Sequence, residues 1–156
     1  MPDELDDQLD RALTGPRVLA WRELMRAEAR VLARIREELQ AVDLSISDFD
    51  ALANIRPGEA LRHTVLADRV ILSRTGLTRL ITRLCERGLL QRHEDAGDGR
   101  GVLIGLTDHG AQVRERAALA NAHAVEEAMK RLGDDQVAQL EHHVRLLGRS
   151  GRRARD

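Results

Sequence analysis

The chain contains no tyrosine, and only one phenylalanine, one tryptophan and one cysteine in 156 residues. With so few rings, any sizeable core has to come from Leu, Val, Ile and Ala. That composition favours packed helices over a sandwich of aromatic-rich strands. A single cysteine, Cys85, excludes an internal disulfide and fits a reducing compartment. No run approaches the roughly eighteen apolar residues of a membrane-spanning helix, and the acidic N-terminus lacks the apolar stretch of a secretion signal. A cytoplasmic protein with no membrane partner is therefore expected. Gly-x-Ser-x-Gly, His-Glu-x-x-His and phosphate-loop patterns are all missing, so no catalytic residues and no cofactor are expected either.

The net charge is −1, which argues against a uniformly basic nucleic-acid binder, but the charge is segregated. Asp3, Glu4, Asp6, Asp7 and Asp10 crowd the first ten residues. From Arg62 to Arg100 there are eight Arg against five carboxylates, and Arg149, Arg152, Arg153 and Arg155 close the chain. Local concentration of positive charge is what a phosphate footprint requires.

The segment Thr64 to Leu90 reads as a short helix, a tight turn and a second helix. Leu66, Ala67 and Val70 give the first helix one apolar face, with Thr64 at its expected N-cap. Ser73 stands where an N-cap of the second helix belongs. Leu77, Leu80, Ile81 and Leu84 then recur at i, i+3, i+4 and i+7, a single buried stripe. Thr75, Thr78, Arg79 and Thr82 fall on the opposite face, which is short, hydrogen-bonding and positive. Such a face suits the major groove, where Arg forks onto guanine and Thr meets a base edge or a thymine methyl. Arg74 and Arg83 flank it and suit phosphates. Gly88 is expected at C′.

Around this helix-turn-helix, residues 1–16 are expected as a solvated acidic arm and 148–156 as a disordered basic tail. A long helix is expected from Arg17 to Val42, its stripe formed by Trp21, Met25, Leu32, Ile35, Leu39 and Val42. Ser47 with Asp50 reads as the capping box of the next helix. Leu90–Glu94 and Val102–Leu106 read as two strands joined by a Gly- and Asp-rich loop. Thr107 is the expected cap of a helix running to about Leu132. After Gly133, Val137, Leu140, Val144 and Leu147 mark a last helix.

This order of elements resembles the MarR family of dimeric winged helix-turn-helix transcription regulators. The likeness is carried by Leu66-Ala67-Asp68-Arg69, Leu72-Ser73-Arg74-Thr75-Gly76-Leu77-Thr78-Arg79-Leu80, Leu84-Cys85-Glu86-Arg87-Gly88-Leu89, Asp98-Gly99-Arg100 and Leu106-Thr107-Asp108-His109-Gly110. The resemblance implies a mainly α fold with a small β-hairpin wing. It implies one protomer over 17–147, with a DNA-binding part at about 47–107 and dimerisation helices at about 17–43 and 108–147. It further implies a homodimer on a palindromic double-stranded DNA operator, a repressor role, Ser73 to Arg83 in the major groove and the wing in the minor groove. Arg100 matches the family's wing arginine and Asp98 the acid that braces it; Gly99 departs from the second Arg often found there. A crevice for a small aromatic or organic-anion effector is also implied, with Trp21, Met25, Arg56 and His63 as its candidate lining.

Cys85 and a His/Glu cluster raise two other chemistries. Cys85 follows Ile81 and Leu84 on the buried side of its helix, where a thiol is dulled; packing is the expected role. His123, Glu126 and Glu127 share a helix face at metal-ligand spacing, but nothing else converges there, so no metal is expected. A winged-helix interaction module without DNA binding, and a metal- or redox-responsive regulator on the same scaffold, are the rival readings.

Overall fold

The computed structural model describes residues 2–70, 74–94 and 102–149. In chain order the elements are α1 (Pro2–Thr14), α2 (Pro16–Gln40), α3 (Ile46–Ala53), β1 (Ala60–Arg62), α4 (His63–Arg69), α5 (Arg74–Glu86), β2 (Leu90–Glu94), β3 (Val102–Leu106), α6 (Asp108–Met129) and α7 (Asp134–Arg149). The fold is mainly helical with a small antiparallel sheet, as the sequence implies.

The buried apolar residues are aliphatic and gather where α3, α4, α5 and the sheet meet the C-terminal half of α2 and the inner face of α6. Leu39, Leu52, Ile55, Leu66, Leu77, Ile81 and Leu84 are its largest fully enclosed side chains. The expected stripe of α5 is thus buried in full. The stripe of α2 is not: Ile35 and Leu39 are buried within the protomer, while at the other end Trp21 is exposed and Met25 half-buried. In α7 every residue whose burial is described is exposed, including Val137, Leu140, Val144 and Leu147.

Residues 1–16, expected as a solvated arm, contain the helix α1 instead. Leu5, Leu9 and Leu13 repeat every four residues, which lines them along one side of the helix. The helix ends at Gly15, whose N–H donates to Arg11 O at 3.0 Å, and Pro16 opens α2 without losing a needed donor.

The sheet holds a strand more than the expected hairpin. β1 pairs antiparallel with β3 (Leu61 opposite Ile104), and β3 pairs with β2 from Leu90↔Leu106 to Glu94↔Val102. Strand pairing carries β1 to Arg62, so α4 begins at His63 with Arg62 as its N-cap, and Thr64 lies inside the helix. The capping box of α3 is likewise shifted from the expected Ser47–Asp50. Ser45 Oγ accepts from Asp48 N at 3.1 Å, and Ser45 N donates to Asp48 Oδ2 at 2.9 Å.

Gly88 closes α5 as expected. Its φ is +66°, its N–H donates to Cys85 O at 2.9 Å, and Leu89 N donates to Leu84 O at 2.9 Å, the paired bonds of a Schellman end. Thr107 then ties this end to α6. Its hydroxyl donates to Gly88 O at 2.6 Å and accepts from Gly110 N at 2.9 Å. Gly110 passes so close to the backbone just before β2 that a Cβ there would clash with Leu89 O.

Candidate nucleic-acid interface

Helix α5 is held on its inner side by the core and at one edge by ion pairs. Arg83 Nη2 lies 2.5 Å from Oδ1 of the buried Asp48 on α3. Arg87 Nη1 approaches the other oxygen of Asp48 at 3.7 Å and Arg87 Nη2 pairs with Asp43 Oδ2 at 2.9 Å. Burial alone pushes the Asp48 carboxyl up; hydrogen bonds from Arg83 and Ser45 outweigh it and hold the group below the usual carboxylate range. The orientation of α5 against α3 therefore depends on one enclosed carboxylate.

The outer side of α5 carries three of the expected contact residues. Thr78 and Arg79 are exposed and Thr82, one turn on, is half-buried. Arg79 has no hydrogen bond or ion pair among the described residues, so its guanidinium is available to a ligand. The two threonines are held from other elements. His63 Nε2, at the start of α4, lies 3.1 Å from Thr78 Oγ1. Arg92 Nη2, on β2, donates to Thr82 Oγ1 at 3.2 Å, and that hydroxyl donates to Thr78 O at 3.1 Å. Arg69 secures α4 behind this surface, donating to Asn54 O at 3.0 Å and pairing with Glu59 at 3.4 Å. The Arg56 N–H and then Arg69 hold the Glu59 carboxyl below its ordinary value.

The other candidates are distributed differently. Arg74 and Thr75 occupy the first turn of α5. Ser73, Asp98 and Arg100 lie outside the described residues. Arg83, expected to flank the threonine face, is drawn to the α3 side by Asp48. His63, expected in an effector crevice, is bonded to Thr78 on the outer face of α5. Trp21 is exposed and Met25 half-buried on α2, and Arg56 is exposed in the turn before β1. No hydrogen bond or ion pair joins any two of those four, and a cavity of about 470 Å³ at the α2–α3 corner is lined by other residues, among them Arg36, Asp48 and Arg87. Arg92 was missed at the sequence level. Its only signal is an outward position on the strand after α5, which any solvated residue shares.

Burial raises the Cys85 thiol, Arg92 opposing and Glu86 reinforcing the shift, and the side chain packs against the core. His123 Nδ1 faces Glu38 Oε1 on α2 at 3.2 Å rather than Glu126 or Glu127. Among the described residues no group of three or more His, Cys, Asp or Glu is placed to hold a metal, and no helix is long and apolar enough to cross a membrane.

A helix-turn-helix backed by a three-stranded wing invites comparison with known proteins. A model of the MarR family matches residues 42–101. The Escherichia coli multiple antibiotic resistance protein MarR is 31% identical over 114 residues, spanning 72% of this chain and 79% of that protein. The chain belongs to the MarR family. Family members are transcription regulators, not enzymes. Among solved MarR-family structures, a cysteine-to-serine mutant of Escherichia coli MarR complexed with operator DNA superposes with a TM-score of 0.77 at 26% identity, covering 89% of this chain and 97% of that one. A MarR family regulator from Streptomyces coelicolor in complex with DNA gives 0.78 at 26% identity, covering 87% and 88%.

Proposed function

We propose that this MarR-family regulator binds double-stranded DNA at a palindromic operator as a homodimer in the cytoplasm and represses the adjoining gene. The observation that carries the reading is the outer face of α5, where Thr78, an unpaired Arg79 and Thr82 project with no carboxylate before Glu86. Arg79 suits a guanine edge and Thr78 a base edge. Ser73, Arg74 and Thr75 have the chemistry to meet phosphates and bases. Arg100 and Asp98, which match the family's wing pattern in sequence, are assigned to the minor groove. Arg83 serves the joint with α3 rather than the groove. The two relatives crystallised with DNA support the DNA-binding part of this reading.

Dimerisation is supported by the apolar side chains that the protomer leaves in water: Trp21 on α2, Leu5, Leu9 and Leu13 on α1, and Val137, Leu140, Val144 and Leu147 on α7. Stripes this extensive mark an interface, and two-fold pairing is its simplest closure. A dimer places two α5 helices in successive major grooves only if they stand one helical turn apart, roughly 34–36 Å. An aromatic or organic-anion effector, held near Trp21, Met25 and Arg56 once a second protomer closes over α2, releases the operator by preferring another spacing. A differential affinity of about 1.4 kcal/mol suffices for a tenfold change. His63 belongs to the groove side.

The test is selection of bound duplexes from a random pool, followed by footprinting and sedimentation. Enrichment of an inverted repeat protected by a dimer is expected. A protein that stays monomeric at micromolar concentration, or protects no sequence, removes the reading.

A further inference from the structure

The hydrogen and one lone pair of the Thr82 hydroxyl are committed inside the protein. A threonine hydroxyl has one hydrogen and two lone pairs, and a guanidinium only donates. Arg92 Nη2 therefore occupies one lone pair at 3.2 Å, and the single hydrogen goes to Thr78 O at 3.1 Å. Both partners come from the protein, one from β2 and one from the preceding turn of α5. What Thr82 has left for a ligand is its methyl group and one lone pair. Yet it lies one turn from Thr78, on the side of α5 that faces outward.

The geometry points to Thr82 as an apolar reader: its methyl meets the 5-methyl of a thymine, and Arg92 is the positioning residue that keeps the hydroxyl turned away. This deepens the DNA-binding reading above and rests on it. In the major groove only thymine presents a methyl, so such a contact distinguishes T·A from C·G without a hydrogen bond. Arg92 is well placed for that part because it reaches from the strand that follows α5, so the wing and the recognition helix set the contact together. It also has further N–H groups for a phosphate, so its loss is expected to lower affinity generally as well as at one base.

The experiment uses the full chain and the duplex that it selects from a random pool, with each thymine replaced in turn by deoxyuridine. One thymine per half-site is expected to be sensitive, losing about fourfold in affinity on loss of its methyl, the value of one buried methyl group. Thr82→Val, which keeps the shape and discards the hydroxyl, should retain both affinity and the thymine-to-uracil ratio. Thr82→Ser should lower affinity and bring that ratio near one. Arg92→Ala should shrink the ratio, and adding Thr82→Val to it should restore the ratio even where overall affinity stays low. A hydroxyl reader gives the reverse order, Ser tolerated and Val defective, and overturns the proposal. So does a selected duplex with no uracil-sensitive position, a result read on the wild-type chain and independent of any variant's folding. A wild-type chain that selects no duplex removes the DNA-binding reading itself, and this inference with it.

Discussion

Asp48 on α3 and Arg83 on α5 are 35 residues apart in the chain and meet at 2.5 Å, the carboxylate enclosed and the guanidinium half-exposed. The same carboxylate accepts from the Ser45 backbone N–H and so also caps its own helix. One residue thus caps the start of α3 and ties it to the edge of α5.

Removing it should be costly. Asp48→Ala removes the acceptor of Arg83 and of the Ser45 N–H, leaving only the Ser45 hydroxyl to cap α3, and is expected to destabilise the fold by about 1–2 kcal/mol in chemical denaturation. Because the folded carboxyl lies below its unfolded value of 3.8, its stabilising contribution is complete above that pH and fades as pH falls through the folded value. Asp48→Asn should therefore remove part of the loss of stability seen below pH 3.8. An unchanged acid limb in the Asn variant would show that the pair does not act in this way.

Gly110→Ala should destabilise the fold by about 1–3 kcal/mol, as overpacking does, since its Cβ would clash with Leu89 O. Gly133→Ala, where a Cβ meets nothing within 4 Å, is the control and should be close to neutral. Thermal melts of the two variants side by side distinguish a local clash from a general intolerance of helix-end glycine changes.

Arg79→Ala is expected to cost about 1–3 kcal/mol on the selected operator and little on random DNA. Arg100→Ala should weaken both more evenly. Gel-shift titrations at several salt concentrations test this, with a slope of about 0.9 log units per neutralised phosphate. Arg83→Ala should lower stability more than it lowers affinity, the reverse of Arg79→Ala.

Placing charge on the exposed stripe of α7, with Leu140→Glu and Val144→Glu together, should yield a folded monomer by sedimentation and circular dichroism. The monomer should bind a half-site only weakly, because the spacing of the two α5 helices is lost. A double variant that still sediments as a dimer would exclude this face of α7 from the interface.

The elements legible beforehand were those with a strong local pattern. α5 was readable because its stripe follows the helical period without interruption and Gly88 ends it. Both long strands of the wing and the Thr107 cap were placed at the observed residues for the same reason. Errors arose where two local solutions competed. Ser45–Asp48 and Ser47–Asp50 have the same capping spacing, and only the burial of Asp48 beside Arg83 selects the first. β1 has three residues, too few for an alternating pattern, and exists because β3 offers it a free edge. α1 was overlooked because its charges were weighed and its four-residue leucine repeat was not.

Sequence alone determined the position and polarity of the helix-turn-helix and which side of α5 is dry, since these follow from periodicity within a single element, while the family came from the resemblance of motifs spread along the chain. Tertiary structure decided which polar side chains on that helix are available. Arg83 is claimed by Asp48, Thr78 is bonded to His63, and Thr82 is tied to Arg92, whereas Arg79 is left open. Each of these pairings joins residues distant along the chain, so the hydrogen-bonding capacity left for a ligand is a property of how the elements pack.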